Sequence, residues 1–333
     1  MSNFIEVLRK PDACCGVRKV SGTAQKARAL RLERLYAGVD QLLEHPDAAL
    51  ETLMSELQMG ELHPTAWEGL HAAAARDGKE PELSRAYEKI TVDRRLKQLL
   101  PPQRASVLLH AADFCQGILG DIPASERFLW RALEAVPDHA EAFARLERRY
   151  SAQARDRIRL CELYALVAEK PPRPPTALAR ATHDVISLLP SHAPLPDDVC
   201  RKLLILLPAH HTLVGVLEAH CRRTGRFALA CEVLEASLAQ ELLTENEIVD
   251  RRHRLIELYL GEAKAPEEAI SHVEDLLLQE PTDTQAKAAA DRLLRIPQVA
   301  SRAAAALQTA RRMLRERGSG SGAPPARSDL QTG

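Results

Sequence analysis

The sequence predicts an all-α chain of stacked helix pairs, and three observations carry that expectation. The strong helix formers Ala, Leu, Arg and Glu dominate, while aromatic residues make up 4% of the 333 positions. Runs in which Val, Ile or Thr alternate with polar residues, the material of sheets, are scarce. A local grammar of turn, helix, proline stop and next helix start also recurs. It reads LGDIPASERFLWRALEAVPDHAEAF from Leu119 to Phe143, TGRFALACEVLEASLAQE from Thr224, and APEEAISHVEDLLLQEPTD from Ala265. Pro137 and Pro171 lie 34 residues apart, and a period of about 20 to 50 residues marks a repeat architecture.

Residues 1–23 are expected to form a flexible arm. From Ala24 to Leu62, LRLERLYAGVDQLL and AALETLMSEL have the helical period and make an imperfect first pair. A solenoid is expected over 24–317. Within it, residues 172–210 hold two helices separated by a proline-rich connection, read as a distorted pair or as a hinge. QVASRAAAALQTARRMLRER, 298–317, carries small apolar residues on one face and arginines on the other. It is expected to cap the stack with a polar outer face, in preference to lying on a membrane, because alanine inserts weakly. The tail 318–333 has linker composition and is expected to be disordered.

The repeat resembles the tetratricopeptide unit, a helix–turn–helix whose signature places large W, L and Y residues, a turn glycine, a small A and a closing P. Trp67 and Leu70 match one unit, and Phe143, Leu146 and Tyr150 a later one. Gly120 and Gly225 fall in turns, Ala230 and Ala269 at the small position of the second helix, and Pro137, Pro171 and Pro281 at closing positions. The resemblance covers roughly 64–294 as a degenerate, bacterial-type array, with units beginning near Pro64, Ser106, Ala140, His211 and Val249. Arg159 stands where a small residue is expected, and an extra residue separates Tyr259 from Ala269. The resemblance implies a right-handed superhelix of antiparallel pairs with a groove lined by the first helices. The Lys/Asn clamp by which some such domains hold a chaperone's C-terminal carboxylate does not carry over. Its positions are Glu68, Ala72, His110, Phe114, Ala144 and Arg148.

Composition narrows the chemistry. A formal net charge of −1 gives no bulk attraction to nucleic acid. No segment approaches the roughly 20 apolar residues of a membrane span, and MSNFIEVLRKPDACCG has no secretory apolar run, so a cytoplasmic location is expected. Seven cysteines without a C-x-x-C pair fit neither a disulfide framework nor a zinc site. Five of them, Cys115, Cys161, Cys200, Cys221 and Cys231, fall in helical patterns as small buried residues. The twelve histidines show no H-E-x-x-H or ligand spacing. With no nucleophile elbow and no phosphate loop either, neither metal, cofactor nor catalysis is expected.

The expected function is a non-catalytic scaffold or adaptor that binds a protein segment in the groove. A regulatory sensor for a small ligand or peptide stands second, and an enzyme on a helical scaffold third. Two basic stretches, AHCRRTGRF and VDRRHRL, fall on neighbouring units. Their residues Arg222, Arg223, Arg226, Arg251, Arg252 and Arg254 are candidate contacts for an acidic or phosphorylated partner segment, because guanidinium binds such groups in two-pronged fashion. The competing expectation is that they pair with acids nearby, such as Glu218, Asp250 and Glu257.

Overall fold

The computed structural model describes residues 64–239 and 243–319, together with the buried Leu50 and Met54. The expected arm, most of the helices expected between Ala24 and Leu62, and the tail beyond Ser319 lie outside the described residues. Among the described residues every regular element is helical. They form two compact units that divide between Val136 and Pro137.

The first unit contains α1 (Pro64–Arg76), α2 (Glu80–Ile90), α3 (Pro101–Phe114) and α4 (Ile122–Ala135). α3 starts ahead of the expected Ser106 because Pro101 and Pro102 occupy its first turn. A missing N–H costs nothing there, so these prolines begin a helix instead of breaking one. α3 ends in a single π turn, Cys115–Leu119, and Gly120 then takes a φ of 65°, a left-handed conformation that glycine adopts at little cost. Asp121 caps α4 by accepting the Ala124 N–H at 2.9 Å. Trp67 and Leu70, the two residues matched to the repeat signature, are buried in α1.

The second unit begins with α5 (Ala140–Ser151), α6 (Arg157–Leu166), α7 (Pro175–Ser187) and α8 (Asp197–Leu203). It continues with α9 (Thr212–Arg223), α10 (Phe227–Leu238), α11 (Glu245–Leu260) and α12 (Pro266–Gln279), and ends with α13 (Thr284–Leu293) and α14 (Ala300–Ser319). Phe143, Leu146 and Tyr150 are buried on α5, and Ala230 and Ala269 are fully buried on second helices. Gly225, at φ 73°, closes the α9–α10 turn. Arg159 is exposed, and the buried small positions of α6 are Cys161 and Ala165. A 3-10 turn at Ala154–Asp156 precedes the helix. α11 begins four residues before the expected Val249, because Thr244 and Glu247 form a reciprocal capping box. The longer α11–α12 turn places Lys264, not a glycine, at positive φ.

Residues 172–210 form the expected two helices and proline-rich connection. α7 packs on α9, and α8 on α6. The connection is anchored at the fully buried Leu195. Its N–H donates to His220 Nε2 at 3.3 Å, and its carbonyl accepts from Arg226 Nη1. Arg226 also pairs with Asp197 at the start of α8. Two polar side chains from the α9–α10 pair thus satisfy backbone that no ladder or helix would satisfy. At the C-terminus, Val299, Ala303, Ala306, Leu307 and Ala310 join Ala286, Ala289 and Ala290 in one apolar cluster with α12.

Candidate functional site

The two arginine-rich stretches meet where α9 and α11, the first helices of successive pairs, lie side by side. Successive residues on a helix point about 100° apart, so the run Arg251–Arg254 fans around α11, and each member reaches a different neighbour. Arg251 is buried and donates from Nη1 to the Ser237 carbonyl at 2.9 Å. That carbonyl belongs to the last turn of α10, where the helix dipole favours a cation. Arg252 Nη1 lies 2.6 Å from Asp275 on α12. His253 Nε2 lies 2.9 Å from Asp283, the residue that caps α13. Arg254 turns the opposite way and contacts Glu218 on α9, with Asp250 one turn earlier at 3.7 Å.

The other stretch is equally engaged. Arg222 pairs with Glu218 at 3.6 Å and with Glu262, beyond the end of α11, at 3.1 Å. Arg226 is held by Leu195 and Asp197 as above. Arg223 is exposed at the end of α9. Of the six arginines expected to meet a partner, the structure brings Arg222 and Arg254 together around Glu218. It commits Arg226, Arg251 and Arg252 to contacts within the fold. The i,i+4 pairs Glu218–Arg222 and Asp250–Arg254 are legible in sequence. The contact of Arg254 with Glu218 is not, since it depends on how two helix pairs stack.

Glu218 is the centre of this arrangement: its side chain is 1% exposed and lies against two guanidinium groups. Burial holds the Arg254 guanidinium somewhat below its ordinary value, and does the same to Arg251 against the opposing influence of Glu247 and Asp250. Towards the helix N-termini the two helices leave a cleft of about 390 Å³, lined by His211, Val214, Gly215, Asn246, Asp250 and Arg254 among others. α7 and α9 approach backbone to backbone, whereas α9 and α11 are joined by side chains reaching across. Gly215 is a mid-helix glycine above which a Cβ would meet nothing within 4 Å.

A second polar cluster, unforeseen from sequence, ties α10, α11 and α12 together. Glu235 accepts from Tyr259 Oη at 3.1 Å and lies 2.7 Å from His272 Nε2, and the Tyr259 and His272 rings stack at 5.9 Å. These bonds, that of His272 first, hold the Glu235 carboxyl below the usual range. The five helical cysteines are buried thiols, as expected. Burial pushes Cys115 and Cys231 up to about 11, and Cys221 donates a hydrogen bond to Cys200 that lowers the latter. Among the described residues no group of three or more His, Cys, Asp or Glu side chains could hold a metal ion. Nor is any helix among them long and apolar enough to cross a membrane.

No protein-family model matches the sequence, and no curated protein does. Solved structures similar to it include Acl4, an assembly chaperone of RpL4, at 16% identity over 78% of this chain and 100% of that one, with a TM-score of 0.22. Another is the C-terminal part of a TPR repeat-containing protein from Cytophaga hutchinsonii, at 11% identity over 76% and 98%, with a TM-score of 0.25. A third is IFIT1 with m7Gppp-AAAA, at 13% identity over 84% and 61%, with a TM-score of 0.21. Superpositions this loose carry no argument about activity. The helix pairs themselves are tetratricopeptide-like. That rests on the chain's own turn glycines, buried alanines and large apolar residues at the repeat positions.

Proposed function

We propose that this chain is a non-catalytic interaction scaffold that takes an extended protein segment into the cleft between α9 and α11. The carrying observation is that cleft: two first helices held apart and in register by the buried Glu218 contacts, with open space above Gly215. A helix-lined concavity with a rigid floor suits a segment that brings its own side chains. An acidic or phosphorylated partner, the chemistry expected from the arginine-rich stretches, would compete with Glu218, Glu262, Asp275 and Asp197 for the same guanidinium groups. The docking place therefore follows from the cleft and not from the count of arginines.

The test is affinity capture with the intact chain, read by mass spectrometry. Gly215→Gln should fill the cleft without harming the helix, because glutamine is a better helix former and meets nothing at Cβ. Proteins held by the wild type and by Gly215→Ala, but lost with Gly215→Gln, are the expected result. An unchanged set of captured proteins would remove the cleft from consideration.

A further inference from the structure

We infer that the exposed arginines of α14 are a docking surface for a second copy of this chain, joined head to tail through that copy's acidic stretch between Leu35 and Ala75.

Charge along the chain is segregated although it sums to only −1. From Arg292 to Arg315 the sequence holds six arginines and no Asp or Glu. From Leu35 to Ala75 it holds seven Asp and Glu and no Lys or Arg. Unlike the arginines around Glu218, most of the basic stretch is unanswered. Arg302 is held by Glu274 at 2.6 Å, and Arg312 lies 3.9 Å from Glu316. Arg292, Arg295, Arg311 and Arg315 are exposed and have no ion pair among the described residues. On α14 the exposed Gln308, Arg311, Arg312 and Arg315 stand three and four residues apart, so they form one stripe.

The inner face of the same helix changes along its length. Ala303, Ala306, Leu307 and Ala310 are buried, whereas Met313 and Leu314, one turn on, are only half-buried. The last turns of α14 therefore present free guanidinium groups beside incompletely covered apolar side chains. A nucleic acid would use the arginines but gain nothing at Met313 and Leu314. The basic stretch carries +6 and the rest of the chain −7, and that remainder repels polyanions and anionic membranes alike. A protein surface supplies carboxylates and apolar groups together. The acidic stretch interleaves its carboxylates with Leu, Met and Ala. Most of it lies outside the described residues, and within them Glu68 is exposed on α1 and unpaired. The acidic stretch belongs to the first compact unit and α14 to the second. One copy thus carries both halves of the joint, and a joint between unlike surfaces leaves a free half at each end for a further copy.

Sedimentation of the full chain over a range of protein and salt concentrations tests this. At low ionic strength the weight-average mass should rise with concentration to at least about twice the monomer, and fall back as salt is raised. Replacing Arg311, Arg312 and Arg315 together with Glu should leave a monomer, and so should replacing Asp40, Glu44, Asp47 and Glu51 together with Lys. Mixed in equal amounts, the two variants should associate again, because each supplies the half that the other lacks. A wild type that stays monomeric at every concentration overturns the proposal, as does an arginine variant that associates like the wild type. A mixture of the two folded variants that stays monomeric also overturns it. If the monomeric wild type instead binds a single-stranded oligonucleotide or anionic vesicles through these arginines, the surface belongs to a nucleic acid or a membrane and the second copy is excluded. Circular dichroism confirms that each variant is folded. The wild type and the arginine variant decide the matter even where the acid variant unfolds.

Discussion

The first helices of successive pairs meet in two chemically opposite ways in this chain. Between α1 and α3 the contact is made of rings: Trp67 stacks on His110 at 4.8 Å, and His71 packs on Phe114 at 5.1 Å with Tyr87 from α2 closing the cluster. Between α9 and α11 it is made of charges, Arg254 and Arg222 around the buried Glu218. Rings fill the space they bridge, so Phe114, one of the positions where a carboxylate clamp would have to act, is fully buried. Ion pairs bridge at a point and leave room beside it, and the cleft above Gly215 is that room. The same helix-pair architecture therefore yields a sealed joint in one unit and an open one in the other. Side-chain volume and charge decide which.

Replacing the largest ring should have the largest effect. Trp67→Ala removes a side chain that is 1% exposed, and denaturant unfolding of the first unit should show a loss of about 3–5 kcal/mol. If Trp67→Ala costs less than Arg254→Ala, the ring joint is not the tighter of the two.

Acid should separate the joints next. Burial, with the nearby His110 adding to it, depresses His71 from 6.5 to about 4. Its Nε2 lies in hydrogen-bond contact with Tyr87 Oη at 2.7 Å, in the buried ring cluster. The unfolded chain then binds a proton between pH 6.5 and 4 that the folded chain refuses, so stability falls as pH drops through that window. The loss reaches up to about 3 kcal/mol at its lower end. His71→Phe should flatten this slope in a pH series of thermal melts of the first unit. An unchanged slope would assign the acid sensitivity elsewhere.

The charged joint should respond less, and to salt as well. Arg254→Ala leaves Glu218 with Arg222 alone, and the expected cost is about 2 kcal/mol, below that of a fully buried pair because Arg254 is half-exposed. Combining it with Glu218→Leu should recover much of the loss, whereas the ring joint offers no such rescue. Replacing Arg251 and Arg252 with serine lowers stability too, contrary to what their surface-like sequence pattern implies, since one is buried on Ser237 and the other reaches Asp275.

The smallest expected change lies in a turn. Gly225→Ala forces a Cβ into φ 73° although nothing crowds it, so the cost is the backbone term alone, about 1 kcal/mol. Gly215→Ala, at an ordinary helical position, should gain about as much. Opposite signs at two glycines ten residues apart separate a glycine required by its conformation from one that only keeps space open.

The helical class, the turn glycines and the closing prolines were legible in the sequence because they are local. Periodicity and conformational preference act within a few residues of each other. Helix starts were misplaced where a local signal had two meanings: Pro101 and Pro102 open α3, and the Thr244–Glu247 box opens α11 ahead of Val249. Arg226 looked like a surface residue because nothing in AHCRRTGRF reveals that Leu195, 31 residues earlier, needs a donor. By itself the sequence determined that this is a stack of helix pairs and where their turns must fall. Only the tertiary structure decided which arginines remain on the surface, which carboxylates stay accessible and where the stack opens. Those outcomes depend on contacts between helices far apart in the chain, and the energy of a charge is set by whatever the fold places opposite it.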